Sequence, residues 1–323
     1  MKKFGVLLCC VLLLGMAAGG TSLAADRIFI GIATGGTGGT YYPLGGMLAQ
    51  LISNKVVIGG KKLSATAETG NASVANASLL GRGGIETAFV AADICDAACK
   101  GIKQFKGKAI KNLRALGALY PETVQLVVRG NAGINSFKDL KGKSISSGSP
   151  GSGQWQLLGD LLASYGMTRK DIKEDYSSFS QSVEKIKDNN LDASLITAGT
   201  PTASVTELAN HHSIMILPLT GAEIDKLRKV QPYYAPTVLP AKTYKGQAKD
   251  VKTIAVRAIW ATHTKLDDKV AYNLVKALYE NTDTLAKVHV KGKEISLKTA
   301  LESISIPIHP GAMKYYKEKG LVK

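Results

Sequence analysis

The chain has 323 residues, carries 41 Lys and Arg against 25 Asp and Glu, and is only 6% aromatic. That length exceeds what one hydrophobic core usually serves, so two lobes are expected. The basic excess favours anionic partners. The lysines are scattered, however, and no basic run alternates with aromatics as a strand-binding groove requires, so nucleic acid is not expected. An anionic metabolite, an anionic membrane surface and a plain solvated basic face all fit the charge.

In chain order, Lys2 and Lys3 precede the apolar run Phe4 to Leu14, and small residues follow to Ser22-Leu23-Ala24, a small-x-small cleavage pattern. The apolar run is short of the ~20 residues a spanning helix needs. Residues 1–24 are therefore expected to be a cleaved signal peptide and the mature protein to be exported to the periplasm. Cys9 and Cys10 lie inside the apolar run, which argues against a lipid anchor. Lys2 and Lys3 leave with the signal, so 39 basic side chains face 25 acidic ones, a net charge of +14.

Short β-rich runs then alternate with helical patterns: "RIFIGIAT", a helix from about Pro43, "IETAFVAA", "LRALGALY", "VQLVVR", "KSISSG", a helix from about Gln154, "DASLITAG", a further helix and "SIMILPL". This alternation predicts an α/β fold with mostly parallel sheets. In "DICDAACKG", Cys95 and Cys99 form a candidate disulfide, since an exported protein meets an oxidising compartment. Helical spacing puts their Cα atoms about 6 Å apart, but parallel Cβ directions strain the bridge unless the segment is irregular. No second Cys pair exists and His211-His212 lies far along the chain, so no metal is expected.

Three strand-to-helix junctions share one composition. The first is Gly35-Gly36-Thr37-Gly38-Gly39-Thr40-Tyr41, followed by Pro43 and then Leu44, Met47, Leu48, Leu51 and Ile52 at helical spacing. The second is Gly148-Ser149-Pro150-Gly151-Ser152-Gly153, before Leu157, Leu158, Leu161 and Leu162. The third is Thr197-Ala198-Gly199-Thr200-Pro201, before Val205 and Leu208. Each presents backbone N–H groups at a positive helix end with small residues beside it, a means of gripping an anion. None has the lysine of a nucleotide P-loop, and the third glycine of a dinucleotide fingerprint falls on Tyr41. Neither Ser149 nor Ser152 sits in Gly-x-Ser-x-Gly, and none of the five histidines lies in these loops, so no catalytic residue and no cofactor is expected.

"TGGTGGTYYPLG" resembles the opening motif of the TAXI family, the solute receptors of tripartite ATP-independent periplasmic (TRAP) transporters. The likeness continues through "TGNASVANASLL", "IETAFVAAD", "LRALGALYPETVQLVV", "DLKGKSISSGSPGSG", "LDASLITAGTPTASVTELA" and "YYAPTVLPAKTYKGQAKDVKTIAV", in family order over nearly the whole mature chain. The resemblance implies a type II periplasmic binding protein: two α/β lobes joined by two hinge strands, closing on a ligand between them. It implies a non-enzymatic, monomeric receptor that hands a small anionic solute to TRAP integral membrane permease subunits. Family members that bind glutamate, glutamine or 2-oxoglutarate make a small carboxylated metabolite the first expectation. An enzyme or a sensory receptor reusing the cleft is the alternative.

Residue by residue, the resemblance maps ligand contacts onto Thr37, Gly38, Thr40 and Tyr41, onto Asn76, onto Ser149, Gly151, Ser152, Gly153 and Gln154, and onto Thr197, Ala198 and Gly199. Asp93 also matches, but Ala91-Ala92 stand where the family commonly has Gln-Ser. Lobe crossings are expected near Glu122 to Leu126 and near Tyr234 to Lys242. Lobe one is then residues 26–123 plus 237–323, and lobe two residues 124–236.

Overall fold

The computed structural model describes Arg27–Lys323; the expected signal peptide, residues 1–24, lies outside the described residues. The chain begins with β1 (Ile28–Ala33), α1 (Tyr41–Lys55), β2 (Val57–Ile58), β3 (Lys61–Glu68), α2 (Ser73–Gly81), β4 (Thr87–Ala91), α3 (Ala92–Lys100) and β5 (Leu113–Arg129). Next come β6 (Ser144–Ser146), α4 (Gln154–Ser164), β7 (Lys173–Asp175), α5 (Phe179–Lys187), β8 (Ala193–Ala198), α6 (Ala203–His211), β9 (Ile214–Leu217), α7 (Ala222–Val230) and β10 (Ala235–Leu239). It closes with β11 (Val251–His263), α8 (Asp268–Tyr279), α9 (Thr282–Ala286) and α10 (Pro310–Glu318).

Local sequence accounts for most of these elements. In α1 the side chains of Leu44, Leu48, Leu51 and Ile52 recur at helical spacing and are buried, each contributing roughly 1.5–3 kcal/mol relative to exposure. In α8 the Asp267 carboxylate accepts hydrogen bonds from the N–H groups of Lys269 and Val270, closing the first turn. In α5 Ser178 and Gln181 form a reciprocal capping box. All five residues of β4 are buried, as a central strand covered on both faces requires.

The strands follow the order β2-β3-β1-β4-β11-β5-β8-β6-β7, with β10 beside β11 and β9 beside β5. The expectation of mostly parallel sheets is corrected to a mixed one. Pairs β1/β3, β1/β4, β6/β7 and β6/β8 are parallel, but β5 and β11 run antiparallel to each other and to their other neighbours. The reason is that β5 and β11 serve both ends of the sheet. The runs "LRALGALY" and "VQLVVR", read as two strands, form the single strand β5, continuous through Pro121-Glu122-Thr123.

Three hydrophobic clusters flank these strands: the largest runs along both β5 and β11 and joins Leu80 and Ile94 to Leu157 and Leu217, and two smaller ones lie toward opposite ends. Leu116, Leu119 and Tyr120 of β5 pack with Ala258 and Trp260 of β11 and with α1 and α8. Val127 of β5 and Val251 of β11 pack instead with Val183, Ile196, Val205 and Leu208. The segment Tyr234 to Lys242, expected as the second crossing, contains β10 and the residues after it. Leu239 packs in the same core as Val251, so the strand that continues between the two smaller clusters is β11. The fold is thus mixed α/β, with one large sheet divided between two lobes.

Candidate functional site

Six loops meet above the middle of the sheet, and each follows the C-terminal end of a parallel strand: β1, β3, β4, β6, β7 and β8. In open α/β sheets this is where helix N-termini and backbone N–H groups point at a common crevice. They enclose a cavity of about 200 Å³. Its floor is set by strand register: Glu122 lies opposite Val256 of β11, and the next two residues of β5 lie opposite Ala198 and Thr197 of β8. Glu122, Val256, Ala198 and Thr197 all line the cavity.

Of the residues expected to bind a ligand, Thr37, Gly38, Thr40, Tyr41, Asp93, Ser149, Ser152, Gly153, Gln154, Thr197 and Ala198 line this cavity. Three do not line it. Asn76 donates from Nδ2 to the carbonyls of Thr34 and Phe89, both at 2.9 Å, and of Ala33 at 3.3 Å, tying the ends of β1 and β4 together. The Gly151 carbonyl accepts from the N–H groups of Val74 and Ala75, both at 3.0 Å. The Gly199 carbonyl accepts from Thr40 Oγ1 at 3.0 Å and Thr202 Oγ1 at 2.9 Å. Cys95 and Cys99 are free thiols on α3, so the candidate disulfide is not formed. The regular helix keeps their Cβ bonds parallel, the geometry that disfavours the bridge.

The cavity also has walls that sequence reasoning did not single out: Glu122, Tyr234, Ser73 and Phe179. Glu122 had a readable signal, as the only carboxylate in the apolar run from Leu113 to Val128. Tyr234 was read only as the start of an expected crossing, and Phe179 had no signal, because only long-range packing brings them here. The Tyr41 hydroxyl donates to Glu122 Oε2 at 3.1 Å, and its ring meets Phe89 edge-on at 5.6 Å. The Tyr234 hydroxyl donates to Asp93 Oδ2 at 2.8 Å. Of Ala91 and Ala92, where the resemblance breaks, only Ala91 lines the cavity.

The electrostatics come from backbone and acids. No Lys, Arg or His is among the lining residues, and the carboxyls are Asp93 and Glu122. Burial holds Glu122 well above the ordinary carboxylate range; the Tyr41 hydrogen bond pulls it back and the Asp93 charge pushes it further up. Asp93 is raised by burial, against the Tyr234 hydrogen bond and the Lys103 charge. Groups shifted this way keep their protons to higher pH than ordinary carboxyls do, and in the protonated form they can donate hydrogen bonds. Facing them are the first turns of α1, α3 and α4, none with a side-chain cap. Each such end favours an anion by about 0.3–1 kcal/mol at the surface and up to ~2 kcal/mol where partly buried.

Asp93 Oδ1, Ser152 Oγ and Thr197 Oγ1 are buried without a hydrogen-bond partner, and all three residues line the cavity. A buried polar atom left unpaired costs roughly 1–3 kcal/mol. Three such atoms in the walls of one cavity, drawn from β8 and from the first turn or cap loop of α3 and α4, mark a place built to bind rather than to pack.

The sequence profile of the NMT1-like family matches residues 32–320, a span that takes in every one of these loops. The chain belongs to the NMT1-like family. Among solved structures, this NMT1-like protein is similar to the periplasmic aliphatic sulphonate binding protein SsuA from Escherichia coli. The two are 16% identical over 91% of this chain and 83% of that one, with a TM-score of 0.50. A protein from Bordetella bronchiseptica RB50 is 15% identical over 90% of this chain and 98% of its own, with a TM-score of 0.57. These likenesses are of fold: the NMT1-like chain has the two-lobed α/β architecture of periplasmic solute-binding proteins. Among the described residues no helix is long and apolar enough to cross a membrane.

Proposed function

We propose that this NMT1-like protein is a periplasmic solute receptor that closes on a small carboxylated metabolite of the glutamate, glutamine or 2-oxoglutarate kind and presents it to a TRAP membrane permease. The observation that carries the reading is the set of unpartnered buried atoms, Asp93 Oδ1, Ser152 Oγ and Thr197 Oγ1, around a cavity into which uncapped helix N-termini point. The absence of basic side chains from the lining leaves the helix ends to hold the anionic group, with the protonated forms of Asp93 and Glu122 as donors to it. The aliphatic sulphonate named for the Escherichia coli protein is likewise a small organic anion. The TRAP partner rests on the motif series that begins with "TGGTGGTYYPLG" alone.

Lobe one comprises residues 27–123 and the chain after the middle of β11; lobe two lies between. The packing of Leu239 with Val251 favours a return in β11 over one at residue 237. The ligand contacts are Thr37, Thr40, Tyr41, Asp93, Ser149, Ser152, Gln154 and Thr197, with Glu122 added. The receptor works as a monomer and catalyses no reaction; no histidine or cysteine lines the cavity beside Ser149 or Ser152. Native mass spectrometry of the exported protein tests the reading by identifying a co-purified solute, and thermal shift over dicarboxylates and amino acids ranks it. Stabilisation by none of these anions removes the reading. Reconstitution with a TRAP permease in vesicles, followed by uptake of that solute, tests the partner.

A further inference from the structure

The two lobes exchange helix caps. The Gly38 carbonyl, on the loop before α1, accepts from the Ser204 N–H in the first turn of α6 at 3.2 Å. In the opposite direction, the Gly151 carbonyl, on the loop before α4, accepts from the Val74 and Ala75 N–H groups in the first turn of α2. Neither α2 nor α6 has a side-chain cap of its own. Their orphan donors, which every helix start must satisfy, are thus satisfied by the opposing lobe and not by a ligand.

The glycines make this approach possible. A Cβ on Gly38 would lie 2.5 Å from Ser180 Oγ and 3.1 Å from Ser204 Cβ. On Gly199 it would lie 2.8 Å from Lys291 Cγ and 2.9 Å from Thr40 Cγ2; on Gly153, 3.1 Å from Ile94 Cγ1; on Gly151, 3.2 Å from Ala75 Cβ. Every one of these contacts joins one lobe to the other. By contrast, a Cβ on Gly36, in the same loop as Gly38, would meet nothing within 4 Å.

We infer that Gly38, Gly151, Gly153 and Gly199 are closure-setting residues: they let the lobes cap each other's helices, so the closed form is populated before any solute binds. This rests on the lobe division proposed above. A side chain at these positions then acts as a wedge that lowers solute affinity by shifting the closing equilibrium; Gly151 and Gly199, which do not line the cavity, act by this route alone. A methyl group on Gly38 can be absorbed by rotating Ser180 Oγ, so the informative substitution is Gly38→Val.

Hydrogen–deuterium exchange on the ligand-free, full-length mature protein tests this. In the wild type, the Ser204, Val74 and Ala75 amides are expected to be protected. In Gly38→Val all three should exchange at least about tenfold faster while the β5 amides keep their protection, because sub-global opening leaves the cores intact. Val74 and Ala75 are the deciding probes, since their acceptor is Gly151 and not Gly38. Gly36→Val should leave all three unchanged. If Gly38→Val also loses β5 protection, Gly199→Val is read the same way. Acceleration at Ser204 alone, or unprotected amides in the wild type, overturns the inference. Because no solute enters the measurement, that failure is separate from failure of the receptor reading.

Discussion

Tyr41 and Glu122, 81 positions apart, are joined by a 3.1 Å hydrogen bond at the floor of the cavity, where the first turn of α1 meets the middle of β5. Tyr41 opens the glycine loop's helix and Glu122 sits where β5 passes between cores. One bond therefore links the glycine loop's helix to the middle of β5.

That bond gives a pH prediction. The folded Glu122 binds its proton more tightly than the unfolded chain does, because burial disfavours the charge. Stability is therefore complete below the ordinary value of 4.5 and falls as pH rises from there toward the folded value. Each pH unit inside that window costs about 1.4 kcal/mol. Glu122→Gln should flatten this fall, and urea denaturation of both proteins between pH 4 and pH 8 measures it. Asp93, raised in the same direction with Tyr234, Lys103 and Asp160 about it, keeps part of the slope in the variant.

Ser152→Ala and Thr197→Val should separate stability from binding. Each removes a buried hydroxyl that has no partner, so the ligand-free melting temperature is expected to stay level or rise. Affinity for the co-purified solute is expected to fall by about 1.5–3 kcal/mol, the worth of one hydrogen bond to a charged group. Calorimetry with that solute checks the second half, and unchanged affinity in both variants would place the solute elsewhere.

Asn76→Ala should behave in the opposite way. Its side-chain amide serves three backbone carbonyls from inside the lobe, so truncation leaves buried acceptors unpaired. A loss on the order of 2–4 kcal/mol is expected, at about 1–2 kcal/mol for each well-made bond. Denaturation midpoints measure it, and solute affinity at low temperature should change little.

Asp192 supplies a second pH dependence of the other sign. Burial raises its pKa, but the Ser144 N–H and hydroxyl and the Arg129 guanidinium outweigh burial and hold it below the ordinary value of 3.8. Its contribution is complete above that value and is lost as pH falls through the lower folded one. Asp192→Asn should therefore destabilise lobe two at pH 7 by roughly 1–2 kcal/mol, with the difference shrinking in acid. Parallel melts at pH 3 and pH 7 read both.

Much of the site was legible locally. The loops at Gly35–Tyr41, Gly148–Gly153 and Thr197–Pro201 announce themselves because a tight strand-to-helix corner needs glycine, hydroxyls and a helix start within a few residues, all of them neighbours in sequence. The corner at Gly70–Ser73, though part of the motif "TGNASVANASLL", supplied no expected contact but Asn76 beyond it, and Ser178–Ser180 was missed, although both corners line the cavity. Their strands β3 and β7 are partly exposed or three residues long, and carry no clear apolar alternation.

The order of residues alone determined the small-residue loops, the helix faces behind them and the two-lobed α/β class, since each depends on short-range spacing or total length. Only the tertiary structure decided which glycines pack against loops distant in sequence, that Asn76 and Gly151 serve backbone groups, and that Glu122 and Tyr234 join the cavity. Those outcomes depend on β5 and β11 passing between clusters at opposite ends of the sheet, and pairing between strands more than a hundred residues apart leaves no mark on the local pattern of either.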